Sequence, residues 1–243
     1  WSDPNRVIAA LEQASLPLLK AEYVESGSEL RAALSRYREL ELWPIVQQYC
    51  PGYGLGQFFY MHRGQPVRVF QHRRVCEWPP EGGFSSVADA VPLSEHEDLQ
   101  ALSVALLQHI GWDGVAMVEF RYDPHSAQAW LMEINGRLWG SFPLAVHCGA
   151  GFALLSHAAA AGLPLPDLPP VIDKLRCRML STELKRLQRI LFEPSKIADK
   201  RFLRRPVAEI WRFATDFLRP TTRYYVASMD DPLPLLEIGR AHV

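Results

Sequence analysis

Two strand-forming runs, "GVAMVEFRY" (114–122) and "AWLMEINGR" (129–137), are separated by only six residues, "DPHSAQ". Strands send alternate side chains to opposite faces. One face of the first run then carries Val115, Met117, Glu119 and Arg121, and one face of the second Leu131, Glu133, Asn135 and Arg137. The turn-like link predicts an antiparallel hairpin. Pairing of Tyr122 with Trp130 would set Glu119 opposite Glu133 and Met117 opposite Asn135, with the acids' Cβ atoms about 5 Å apart. A slip of one residue would send one acid to the other face. Any fold adopted by this chain therefore has to reconcile two carboxylates with an otherwise apolar hairpin.

Two ionised carboxylates at that spacing repel by roughly 3 kcal/mol at an effective dielectric of about 20. The pair calls for a proton, an arginine or a divalent cation between them. Asn135 adds a third oxygen donor, and a set made of oxygen alone suits Mg²⁺ or Mn²⁺ completed by substrate phosphates, whereas zinc would want His or Cys. On the other reading, Arg121 and Arg137 neutralise the acids and the hairpin is purely structural.

The remainder of the composition narrows the field. The chain has 243 residues, 48% of them hydrophobic, and a formal charge of −1. That balance lacks the basic excess of a nucleic-acid binder, and no apolar run approaches a membrane span. Cys50, Cys76, Cys148 and Cys177 are far apart and match no zinc spacing. The composition reads as that of a reduced, cytoplasmic protein.

Helical spacing appears in "VIAALEQASL" and in "SELRAALSRYREL", the latter with a capping box at Ser26 and Glu29. "PLLKAEYV" and "WPIVQQYC" read as strands, followed by two more, "GQFFYMHRG" and "QPVRVFQHRRVCEW", turning at Gly64. "PPEGGFSS" reads as a loop. A helix is predicted from Ser94, with Glu97 completing a second capping box and Leu99, Leu102, Leu106 and Ile110 forming its apolar face up to Gly111. An Ala-rich helix, "GFALLSHAAAAG", comes next. Two amphipathic helices, "TELKRLQRIL" and "VAEIWRFATDFL", then flank the basic connector "DKRFLRR". Hairpins mixed with helices indicate an α+β architecture.

"VEF" followed by "LMEINGRLWGS" resembles the metal-binding hairpin of the ATP-grasp superfamily. "WPIVQQYCPGYGLG" resembles that family's adenine hinge, and "HRRVCEWPPEGGFSS" its basic strand and loop near the transferred phosphate. The three blocks stand in the family's order, within a resemblance spanning about Leu16 to Gly162, and the nearest group is that of carbamoyl-phosphate-synthase-like proteins. The resemblance implies two α+β lobes with antiparallel sheets gripping ATP. On that reading residues 1–50 are a remnant of the first lobe, 51–165 the second lobe, and 166–236 a C-terminal helical extension. It also implies Mg²⁺ (or Mn²⁺) on Glu119, Glu133 and Asn135, and phosphate contacts from Arg73, Arg74 and Arg137. Adenine would be seated by Gln47, Gln48, Tyr49 and Cys50. Lys20 has the look of the family's phosphate lysine, but the eight residues between it and Glu29 leave no room for the usual glycine-rich loop. Gly136 stands where the family usually has proline.

The implied activity is ATP-dependent ligation of a carboxylate to an amine (or a thiol) through an acyl phosphate, releasing ADP and phosphate. The substrates would be small molecules, with no nucleic acid or membrane involved and no indication of oligomeric state. The alternative is a non-catalytic ATP sensor. The sequence begins at Trp1, without methionine, and reads as a fragment truncated at both ends; "EIGRAHV" (237–243) resembles the translation of a sequencing adapter. Among other candidates, the glycines of "GYGLG" read as a turn rather than a phosphate loop, and His72 as solvated strand polarity or a base. His147, Cys148 and the tryptophans at 112, 130 and 139 read as packing residues, with Trp139 near enough to Asn135 to line a substrate pocket.

Overall fold

A computed structural model of the chain describes residues 4–16, 21–40, 42–226 and 233–234. Lys20 and the segment 237–243 lie outside these residues. The chain divides into two compact units. One is Trp1–Tyr49 with Ser195–Leu203, and the other is Cys50–Pro194 with Arg204–Val243.

The first unit contains helices α1 (Pro4–Gln13) and α2 (Gly27–Ser35). Half of the predicted capping box forms: Ser26 Oγ accepts from the Glu29 amide at 3.2 Å, while the Glu29 carboxylate accepts from the Glu25 amide at 2.8 Å, one residue before the cap. "WPIVQQYC", expected as a strand, joins no strand ladder among the described residues, and Ile45 is 88% exposed. Its β-branched residues have no neighbouring ladder, and propensity alone does not make a strand. In the connector 199–205 the Arg201 guanidinium lies 3.6 Å from the Tyr49 ring centroid and pairs with Asp199 at 2.9 Å.

The second unit is built on one seven-stranded sheet in the order β5-β4-β1-β2-β3-β6-β7. Its strands are β1 (Tyr53–His62), β2 (Gln65–Trp78), β3 (Phe84–Ala90), β4 (Gly114–Asp123), β5 (Gln128–Asn135), β6 (Arg176–Arg178) and β7 (Thr222–Tyr224). All neighbours are antiparallel except β6 and β7. The expected division at 165/166 is not a boundary, because β6 and β7 extend the same sheet. Three-residue strands carrying arginines show too little alternation to be seen beforehand.

Helix α3 (Glu97–His109) covers one face. It meets Leu55, Phe59, Met61, Ala116, Val118 and Phe120 through Leu107. It starts three residues after Ser94, with His96 as a left-handed N-cap that makes no side-chain cap bond, so the predicted second capping box does not form. Its buried side is Ser103 and Leu107, whereas Leu102 and Ile110, expected on the apolar face, are more than half exposed. Buried Ser103 is satisfied by a hydrogen bond between its hydroxyl and the Gln57 side-chain amide on β1 at 2.7 Å.

Helices α4 (Phe142–His147) and α5 (Phe152–Ala160) cover the other face, against Phe58, Tyr60, Phe70, Met117 and Trp139. Helices α6 (Leu180–Phe192) and α7 (Pro206–Thr215) complete the unit. Arg178, fully buried, joins them to the sheet. It bonds Glu183 at 2.8 Å between the rings of Phe213 and Phe217. Among the described residues no helix is long and apolar enough to cross a membrane.

Candidate active site

The hairpin of β4 and β5 sets Glu119 opposite Glu133 and Met117 opposite Asn135. It reaches that pairing by an unforeseen route. At the tip the partners are Tyr122 with Ala129 and Arg121 with Trp130, one residue away from the expected pairing of Tyr122 with Trp130. Phe120 faces Leu131 and Glu119 faces Glu133, so Met132 is the extra residue of a β-bulge that restores the register of the acids. The bulge also sends Leu131 to the face of Phe120, away from Glu133, correcting the expectation that these two share a face.

Glu119 is 8% exposed, and burial pushes its carboxyl above the ordinary range, an effect that Arg74 opposes and that Glu133 and Glu77 reinforce. The cation against it is Arg74 on β2, which donates from Nη2 to Glu119 Oε2 at 2.5 Å. Arg74 Nη1 bonds Glu77 at 3.2 Å and the Gly83 carbonyl at 2.9 Å, and Arg121 holds the second Glu77 oxygen at 3.4 Å. Charges therefore alternate along Glu119, Arg74, Glu77 and Arg121. The arginines expected to neutralise the acids were Arg121 and Arg137, but Arg121 turns to Glu77 and to the Gly52 carbonyl, and Arg137 bonds the Leu138 carbonyl at 3.1 Å.

Glycines make room for this arrangement. A β carbon on Gly54 would stand 2.7 Å from Arg74 Cδ, so the Arg74 stem lies across β1 where a side chain would be. Gly52, at φ +94°, would place one 2.0 Å from the Tyr122 carbonyl oxygen. The "GYGLG" run thus serves a turn and a close packing of arginine on strand.

On the edge strand, Asn135 donates its amide nitrogen to Glu133 at 2.6 Å, which leaves the amide oxygen as its donor atom toward a cation. Among the described residues no three His, Cys, Asp or Glu side chains gather as a metal-holding group. The oxygen set is two carboxylates and an amide.

The other sequence candidates fall elsewhere. Alternation along β2 sends Arg73 to the opposite face from Arg74, 3.5 Å from Asp89 in the network of Arg176 and Asp216. Only one of the two expected cations therefore reaches the acids. Gln47, Gln48 and Tyr49 belong to the first unit and Cys50 opens the second. His72 is not solvated. It is 1% exposed, bonds Ser141 at 2.7 Å and packs on Phe58, and burial lowers its pKa to about 3. His147 bonds the Tyr224 carbonyl, while the buried Cys148 thiol is pushed up to about 12, so the two form no nucleophile–base pair. Trp139 stacks on Phe58 with centroids 4.0 Å apart. The residue that sequence reading missed is Glu77. It lies beyond two irregularities in the β2–β3 ladder, and no alternation pattern assigns it a face.

A family model described as "ATP-grasp in the biosynthetic pathway with Ter operon" matches residues 82–183. Over this segment the chain is similar to the ATP-grasp superfamily. The matched segment contains Glu119, Glu133, Asn135 and Arg137, whereas Arg73, Arg74 and the hinge candidates precede it. The mitochondrial ammonia-dependent carbamoyl-phosphate synthase of Aquarana catesbeiana is 33% identical over 90 residues, which are 36% of this chain and 6% of that protein. The Homo sapiens enzyme is 32% identical over 90 residues, with the same shares covered. The chain thus spans a small part of the curated relatives it matches. Among solved structures, an L-amino acid ligase from Bacillus licheniformis aligns with a TM-score of 0.42 at 18% identity, over 64% of this chain and 46% of that one.

Proposed function

We propose that this chain is the nucleotide-binding part of an ATP-dependent ligase that joins a carboxylate to an amine (or a thiol) through an acyl phosphate. The observation that carries this reading is the buried Glu119 opposite Glu133, with Asn135 two residues further along the same strand and an arginine on the inner acid. The name of the partly matching relatives, carbamoyl-phosphate synthases, agrees with it.

The donor set fits Mg²⁺ or Mn²⁺. All three donors are hard oxygens. The buried carboxylate, raised by burial and by two neighbouring acids, lies where further positive charge is favourable. In this proposal Glu119, Glu133 and Asn135 hold the metal, which when bound would neutralise phosphate charge during transfer. Arg74 and Arg137 supply the side-chain cations, Arg137 from an exposed position next to the donors. Gln47, Gln48, Tyr49 and Cys50 are proposed to seat the adenine, and the acceptors are small-molecule carboxylates and amines. No covalent nucleophile from the protein is required.

The test is thermal unfolding with ADP, with and without Mg²⁺, on this chain and on Glu133→Gln. The expected result is a rise in Tm that needs both Mg²⁺ and Glu133. ATP turnover with pools of carboxylates and amines should then release ADP. Equal stabilisation of both proteins would remove the metal assignment, and AMP as product would overturn the acyl phosphate. Mg-dependent binding without turnover in any pool would favour an ATP sensor.

A further inference from the structure

We propose that Arg74 is the resident counter-ion of the acid hairpin and is exchanged for the metal. It neutralises Glu119 in the unliganded protein and passes to the nucleotide phosphates when a divalent cation takes its place. The inference rests on the reading of Glu119, Glu133 and Asn135 as metal ligands, and concerns what their occupation does to the rest of the site.

The two ends of the guanidinium have separate partners. Nη2 is on Glu119 at 2.5 Å, while Nη1 is held by Glu77 at 3.2 Å and by the Gly83 carbonyl at 2.9 Å. One end can therefore leave while the other stays as a pivot. Glu77 is itself fixed by Arg121, so the pivot is anchored on β4, the strand that carries Glu119. Gly54 leaves the space the Arg74 stem occupies. A guanidinium and a divalent cation cannot share the inner oxygens of Glu119 without repelling each other. A cation arriving alone must therefore displace Arg74 with nothing to receive it. A cation arriving with a nucleotide brings phosphate oxygens, which accept the arginine fork well. Metal and nucleotide then favour each other's binding reciprocally through one side chain.

The test is a titration with Mn²⁺, free ion being read by electron paramagnetic resonance, on the wild-type chain and on Arg74→Gln, with and without ADP. Without nucleotide, Arg74→Gln should bind Mn²⁺ about tenfold more tightly than wild type, and with saturating Mn²⁺ it should bind ADP about tenfold more weakly. Adding Glu133→Gln to Arg74→Gln should abolish the gain in Mn²⁺ affinity, which locates the ion at the hairpin. Gly54→Ala crowds the arginine without removing its charge and should shift bare Mn²⁺ affinity in the same direction by less; it carries the comparison if Arg74→Gln does not fold. A folded Arg74→Gln that binds Mn²⁺ no more tightly than wild type overturns the exchange. Absence of Mn²⁺-dependent ADP binding by the wild type would instead remove the ligase reading, and the comparison of bare-metal affinities would still decide the role of Arg74.

Discussion

The ring of Trp112 occupies the position of the side chain that Gly136 lacks: a β carbon there would stand 2.3 Å from Cη2 of the indole. The indole cannot easily retreat, because its Nε1 donates to the Val115 carbonyl at the start of β4, at 3.0 Å. Gly136 also follows Asn135 directly, so a clash there would be relieved by moving either the tryptophan or the candidate ligand. Gly136→Ala should cost about 1–3 kcal/mol of stability and reduce Mg-dependent stabilisation by ADP. Urea unfolding with and without Mg·ADP measures both, and a variant matching wild type in each would show that the close approach is without consequence.

Acid should unfold this protein partly through His72. Its pKa is about 3 in the fold, because burial disfavours the charged ring, against 6.5 for an unperturbed histidine. The unfolded chain therefore binds the proton first. The stability contributed by keeping His72 neutral is complete above pH 6.5 and is lost progressively toward pH 3. The slope approaches about 1.4 kcal/mol per pH unit. In denaturant titrations between pH 7 and 5, wild type should lose more stability than His72→Gln. Parallel losses in the two proteins would refute this assignment.

Arg178 and Glu183 form a buried pair, 0% and 1% exposed at the side chain. Removing Arg178 leaves the buried carboxylate with only the longer 3.3 Å contact to Arg212, so Arg178→Met should destabilise by about 3 kcal/mol. Adding Glu183→Gln should recover part of that loss, since the stranded charge goes with it. If the double variant is as unstable as the sum of the singles, the two residues are not coupled as the geometry indicates.

The cysteines should differ sharply toward thiol reagents. Cys76, Cys148 and Cys177 are buried, and burial raises all three thiols, Cys76 to about 11 and Cys148 to about 12. Cys50 is partly accessible. Native protein should show one fast thiol in a chromogenic disulfide assay, absent in Cys50→Ser, with the other three appearing only on unfolding.

What the sequence reveals about this molecule follows how local each cause is. The facing of Glu119 and Glu133 was readable because alternation and a short link act within twenty residues. The bulge that produces it was not, since no residue type marks Met132 as supernumerary. Ser94 and Glu97 fit a capping box in spacing, yet the intervening residues form turns and the helix starts at Glu97, because that motif describes only a local option. "PPEGGFSS" reads as loop by composition, yet its last three residues, Phe84 to Ser86, open strand β3, because β2 and β6 supply ladders on both sides. Glu77 acquires its role from irregular pairing with β3 and from arginines on β2 and β4, which only the assembled sheet brings together.

The extra residue at Met132 divides the hairpin into two lengths of ladder that keep different counts. Toward the tip, partner numbers add to one total; beyond the bulge, where the acids stand, they add to a total larger by one. The turn at 124–127 can therefore take whatever geometry suits its own residues, and the bulge absorbs the difference in phase. Change at the tip is free to accumulate, while the facing of the two carboxylates is inherited from the bulge and from β4's pairing with β1.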